Sequence, residues 1–309
     1  MWVCNDGKGE KPLGHQGKGA CMTGKLVICP TPIGNLGDMP PRALDALREA
    51  DVICAEDTRV TGRLLAALGI SEKRIERLDE NLMGRRADGI VERVRAGETI
   101  VYCTDAGMPG VSDPGLRLVR AAREAVPAVS VEVLPGPTAA MTAYVASGCV
   151  DPTFYFGGFF PRKAGERRVL LERLRTLDAV LIFYESPNRL LDALAAIEAV
   201  LPARQMAVCR ELSKLHEEVA RGTAMQLREL FEERAVKGEI VIVIDGPAAA
   251  EQQADAQDAL DRAAERANAL AAQGMRPKDI ARTLSAECGI ARNDAYNLAL
   301  DAFKSNRSD

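Results

Sequence analysis

The segment Thr104-Asp105-Ala106-Gly107-Met108-Pro109-Gly110-Val111-Ser112-Asp113-Pro114-Gly115 sets two carboxylates among three glycines and two prolines, directly after an apolar run at 100–103. Such a loop lets the backbone approach a ligand closely at the carboxyl edge of a parallel sheet, where α/β folds hold cofactors. Asp105 and Asp113 are suited to an amino group, a ribose hydroxyl or a sulfonium charge. Taken alone, the loop would read equally well as a tight turn without a ligand. Two further loops of the same kind, Pro30-Thr31-Pro32-Ile33-Gly34-Asn35 and Leu134-Pro135-Gly136-Pro137-Thr138-Ala139, follow other apolar runs. Three such loops would line one edge of a single sheet and build a ligand site there.

A second set of residues is suited to proton transfer and phosphate contact. Ala55-Glu56-Asp57-Thr58-Arg59 brings two carboxylates and a guanidinium to the end of an apolar run. Glu56 or Asp57 would serve as base or positioner and Arg59 as a phosphate clamp; the alternative is a helix start capped by Asp57 or Thr58 with Arg59 in solvent. Phe183-Tyr184-Glu185-Ser186 ends another strand-like run and makes Glu185 a further candidate. Arg210-Glu211-Leu212 ends the next, where Arg210 and Glu211 could pair with each other. The densest basic stretch runs from Arg162 and Lys163 through Arg167 and Arg168, at the start of a helix, and offers a nucleic-acid phosphate face or simply a solvated one.

These residues need elements to hold them. From residue 25 onward, strands at 26–29, 52–55, 100–103 and 131–134 alternate with helices around 42–49, 62–68, 87–96, 115–125 and 138–146. That pattern specifies a mostly parallel sheet covered on both faces. A second αβ set follows Asp151-Pro152, with strands at 154–159, 179–184, 205–209, 217–220 and 239–245 and helices at 165–177, 188–201 and 225–233. The expected organisation is a disordered extension over 1–24, with Met22 as an alternative start, then αβ domains over 25–150 and 151–246. A linker over 247–258 and a helix-turn-helix-like module over 259–309 complete it.

The strings TPIGN, AEDTR, DAGMPGVSDPG and LPGPTAA together resemble the tetrapyrrole methylase superfamily, and the resemblance runs from about residue 25 to 245 and into the tail. Within it they are similar to the branch that methylates a ribose 2′-hydroxyl of a cytidine in 16S rRNA. The resemblance implies two αβ domains of tetrapyrrole-methylase type with a cofactor cleft between them, folded S-adenosylmethionine in that cleft, and a homodimer. It places Pro32, Ile33, Asp105, Ala106, Gly107, Met108, Ser112, Asp113, Thr138, Ala139, Tyr184 and Leu212 at the cofactor. A porphyrin-ring methylase would carry a Gly-rich first loop; Thr31-Pro32-Ile33-Gly34-Asn35 favours the RNA branch, with 16S rRNA in the 30S subunit as partner. Asp79-Glu80-Asn81 stands where the family often has histidines.

Composition sets the outer bounds. Hydrophobic residues make up 47% of the 309 and charged residues 27%, the balance of a globular protein. The apolar runs are strand-length, so no membrane anchor is expected. Eight cysteines without a CxxC pair read as small buried hydrophobes in a reducing cytoplasm. With only His15 and His216 available, neither a metal site nor a serine-type triad is expected. A net charge of −4 argues against indiscriminate nucleic-acid binding. Two rival functions remain: a small-molecule methylase of the corrin or porphyrin pathway, and a regulator whose helical tail reads DNA.

Overall fold

The computed structural model describes residues 24–305. Its first part alternates β1 (Lys25–Ile28), α1 (Pro41–Glu49), β2 (Val52–Ala55), α2 (Thr58–Ala67), β3 (Ile75–Arg77), α3 (Glu80–Arg95), β4 (Ile100–Cys103), α4 (Gly115–Glu124) and β5 (Ser130–Val133). The five strands are all parallel, in the order β3-β2-β4-β1-β5. Every residue of β2 and β4 is buried, as a sheet covered on both faces requires. Leu26, Ile28, Val52, Cys54, Ile100 and Tyr102 pack under α3 and α4. Their neighbours Val27, Cys29, Ile53, Ala55, Val101 and Cys103 pack under α1 and α2. Because the strands share one direction, the loops leaving β1, β2, β4 and β5 emerge at one edge.

The second part comprises α5 (Ala139–Ser147), β6 (Phe154–Phe159), α6 (Ala164–Leu174), β7 (Val180–Glu185), α7 (Leu190–Val200), β8 (Gln205–Arg210), β9 (Glu218–Thr223), α8 (Ala224–Glu232) and β10 (Ile240–Ile244). Its sheet runs β6-β7-β10-β8-β9, with only β6 and β7 parallel. Leu181, Phe183, Val208 and Ile242 face α6, α7 and α8, whereas Val180, Ile182, Cys209 and Val241 face α5. Helices α9 (Ala249–Ala272), α10 (Pro277–Cys288) and α11 (Arg292–Ser305) close over their own core of Ala263, Ala267, Leu270, Ile280, Leu284, Ala295 and Ala299.

The chain folds as two compact units, and their division differs from the expected boundary near residue 150. Among the described residues, the first unit contains 24–32 and 36–137; the second contains Ile33–Asn35 and 138–305. Helix α5 moves across because Ala140 and Ala143 pack on the second sheet, among Val180, Ile182 and Val243. The expected linker over 247–258 is also corrected, since α9 begins at Ala249. Alanine is the best helix former, so a stretch poor in large apolar residues need not be a linker. The three C-terminal helices belong to the second unit, and buried Arg204 meets Glu251 of α9 at 3.3 Å. The extension expected over 1–24 lies outside the described residues except for Gly24, which is buried against the carbonyls of Val94 and Glu98. Among the described residues no helix is long and apolar enough to cross a membrane.

Phe183 is fully buried, 4.8 Å from the Phe160 ring and 6.2 Å from Tyr155 between centroids. Replacing it with alanine is expected to cost about 3–5 kcal/mol in urea unfolding, the usual range for a buried phenylalanine.

Candidate active site

The loops after β1 and β4 are tied to each other by backbone. Thr31 N–H donates to Gly107 O at 3.0 Å, Gly107 N–H donates back to Thr31 O at 3.1 Å, and Thr31 Oγ1 donates to Thr104 O at 3.3 Å. Gly107 sits at φ 82°, a conformation that side-chain-bearing residues rarely adopt. The loop after β5 presses on the same place: a Cβ at Gly136 would lie 2.2 Å from Cβ of Pro30. The loop after β2 joins through Asp57 N–H, which donates to Asp105 Oδ1 at 3.1 Å. Four loops are therefore interlocked at one edge of the first sheet, leaving Asp105 and Ala106 exposed, Met108 half-buried and Gly107 buried.

Within this edge the carboxylates divide by environment. Asp113 braces its own loop, with both oxygens accepting from Gly110 N–H at 2.8 and 2.7 Å and Oδ1 also accepting from Gly115 N–H at 2.8 Å. It is thus a structural support of the expected cofactor loop, beside Ser112, which is exposed and left-handed at φ 72°. Asp57 caps α2 by accepting from Arg59 N–H at 2.8 Å and holds the Arg59 guanidinium through Nε at 3.0 Å and Nη2 at 2.6 Å. Those bonds keep its carboxyl well below the usual range. Glu56 is the opposite case. Burial first, then the nearby charges of Asp105, Asp113, Asp79 and Glu80, push its carboxyl upward. The cap reading thus falls on Asp57, and Glu56 is the carboxylate of this cluster whose proton affinity is raised.

The remaining expected cofactor residues lie in the second unit, apart from half-buried Pro32. Ile33 and Leu212 are buried in the cluster beneath α5, with Ala139 and Tyr184 packed against it. Thr138 caps α5 by accepting from Met141 N–H at 3.1 Å. Tyr184 meets the rings of Phe156 and Phe159 edge-on at 5.1 and 5.5 Å.

Three expectations are corrected. Glu185 follows Phe183 by two residues on β7 and shares its face, opposite to Tyr184, where it is 3% exposed and ion-paired with Arg189. Its Oε1 accepts from Ser186 N–H at 2.7 Å, so it anchors the start of α7 and is not aligned with the cofactor residues. Arg167 leaves the proposed RNA face: it is 3% exposed and donates to the carbonyls of Pro161 at 2.7 Å and Arg162 at 3.3 Å. Arg162, Lys163 and Arg168 remain exposed, Lys163 beside Glu166 at 2.9 Å. Arg210 does not pair with Glu211; it meets Glu218 at 3.0 Å, and Glu211 meets Lys214 at 3.0 Å. Lys214 carries no signal in the sequence, because the contacts that matter come from segments far apart in the chain, whereas Lys237-Gly238-Glu239, leading into the last strand, resembles a family motif that reads equally as structural or functional.

The fold and this edge define a methyltransferase class: the family profile for Tetrapyrrole (Corrin/Porphyrin) Methylases matches residues 25–228, and the chain belongs to that family. Its relatives include the proteins named Ribosomal RNA small subunit methyltransferase I from Synechocystis sp., 38% identical over 90% of this chain and 98% of that protein, and from Haemophilus influenzae, 38% identical over 90% and 97%. The protein of that name from Halalkalibacterium halodurans is 37% identical over 89% and 94%. Among solved structures, diphthine synthase matches with a TM-score of 0.57 at 16% identity, covering 74% of this chain and 92% of its own. A cobalt precorrin-4 methyltransferase matches at 0.54 and 18%, covering 75% and 98%. At those identities the two structures establish the fold alone.

Asp113→Ala removes the acceptor for Gly110 and Gly115. It is expected to lower unfolding free energy by about 1–3 kcal/mol, the cost of stranded donors, and to speed amide exchange at those two glycines.

Proposed function

We propose that the chain is an S-adenosylmethionine-dependent methyltransferase that modifies the ribose 2′-hydroxyl of a cytidine in 16S rRNA of the small ribosomal subunit. The observation that carries this reading is the shared name of relatives that match nearly their whole length, together with the four interlocked loops at one sheet edge. A homodimer and a cytoplasmic location belong to the same reading.

The residues present suit the cofactor. Asp105 offers a carboxylate to the ammonium of the methionine half, and backbone at Ala106 and Gly107 can approach closely because Gly107 is left-handed. Ile33, Ala139, Tyr184 and Leu212 offer apolar surface to an adenine ring. When bound, S-adenosylmethionine would supply an electrophilic methyl group on sulfur.

Glu56 accepts the hydroxyl proton in this account. A ribose hydroxyl is a poor acid, and a carboxylate with a raised proton affinity is a stronger base than an ordinary one. Asp57 is committed to capping α2, where it accepts from Arg59 N–H at 2.8 Å whether or not the guanidinium stays on it. Arg59 is itself 85% exposed, so its fork can exchange that partner for an RNA phosphate at little cost. Arg162, Lys163 and Arg168 supply further phosphate contacts from α6 and the turn before it.

Labelled methyl transfer to 30S subunits lacking the modification, alongside naked 16S rRNA and uroporphyrinogen, tests the reading. Label in 2′-O-methylcytidine after nucleoside digestion is expected; label on the tetrapyrrole alone would reject the RNA substrate. Glu56→Gln should lower kcat by about 10²–10⁴-fold, the usual worth of a general base. In the unsubstituted enzyme the rate should rise as pH climbs through a carboxylate titration above the ordinary range, since protonated Glu56 cannot accept a proton. That limb should vanish in Glu56→Gln.

A further inference from the structure

After β8 the backbone passes through two left-handed residues that are not glycine, Glu211 at φ 52° and Ser213 at φ 65°, with Leu212 between them. Such conformations persist only where the surroundings impose them. Here three segments of the second unit do so. Glu211 N–H donates to Glu239 O at 3.0 Å, and Glu239 N–H donates back to Glu211 Oε1 at 2.9 Å. Lys214 Nζ reaches both Glu211 at 3.0 Å and Glu239 at 3.2 Å. Gly238, at φ 92°, leaves space for the Glu211 carboxylate: a Cβ there would lie 2.3 Å from it. On the other side, a Cβ at Gly34 would lie 2.4 Å from Cγ of Lys214 and 3.2 Å from Leu212 O.

Burying one leucine does not require this arrangement, because an ordinary extended or helical turn buries leucine without strain. What the clamp adds is a single placement of Leu212, which is 6% exposed in the apolar cluster that also holds Ile33. We infer that Glu211 is a positioning residue: with Lys214, Glu239 and the space left by Gly238, it holds Leu212 as a fixed wall of the S-adenosylmethionine site. This inference rests on the cofactor reading above. The Glu239 N–H holds the Glu211 carboxyl below its usual range against the effect of burial, with Lys214 adding to it, so the clamp is charged at neutral pH.

The test is calorimetric binding of S-adenosylhomocysteine to the full chain, with thermal melting run in parallel. Glu211→Ala is expected to weaken binding by roughly tenfold, whereas Glu211→Gln, which keeps an acceptor for Glu239 N–H, should lose less. Leu212→Ala should weaken binding similarly, and the double variant should be little worse than either, because both changes act through one wall. Wild-type affinity in Glu211→Ala, or full additivity with Leu212→Ala, would overturn the inference while leaving the cofactor reading intact. Absence of binding to the unsubstituted protein would overturn both. If Glu211→Ala fails to fold, Glu211→Gln and Lys214→Met carry the same comparison.

Discussion

Two reciprocal hydrogen bonds between Thr31 and Gly107 join the loops that leave β1 and β4, and most of what is distinctive about the first unit depends on that junction. Each bond contributes only about 0.5–1.5 kcal/mol net, so their importance lies in placement more than strength. The two strands are adjacent and in register from Leu26 opposite Ile100, which delivers both loops to one point. Gly107 can complete the bridge because its left-handed backbone carries no Cβ. Once the bridge exists, Pro30 has Gly136 against it, Asp105 accepts from Asp57, and Asp113 rigidifies the far limb. The exposed pair Asp105-Ala106 is therefore held by its neighbours from several directions.

That geometry also sorts the acidic residues. Glu56, Asp105, Asp113, Asp79 and Glu80 gather near one edge, and repulsion among them is relieved unequally. Asp113 accepts from backbone donors and Asp57 is paired with Arg59, while the Glu56 carboxyl is pushed upward by its burial first and by the neighbouring carboxylates second. A partly buried carboxylate set among like charges is a physical route to a base poised above the carboxylate range.

The loops and the parallel sheet were legible because glycine and proline mark turns and because buried parallel strands read as short apolar runs between helices. Direction in the second sheet was not: β8 and β10 are apolar on both faces, and such runs carry no signal of whether they pair parallel or antiparallel. The two buried charged side chains do leave a trace in the sequence. Arg167 falls four and seven residues before Leu171 and Leu174, on the buried stripe of α6, and Glu185 alternates with Phe183 on β7. The start of α9 shows no apolar stripe because its small residues are mostly alanine, so helix propensity is the signal it carries. The Glu211 clamp lay beyond reach, since its partners at 34, 214 and 238–239 meet only in the folded second unit.

The most direct test of the account is amide hydrogen exchange of the full chain with and without S-adenosylhomocysteine. Protection should appear in the bridged loops, at residues 31–35 and 104–110, and around 138–139 and 211–214, while α10 and α11 exchange unchanged. Protection confined to the C-terminal helices, with the bridged loops unaffected, would contradict the proposal that the sheet edge is the cofactor site.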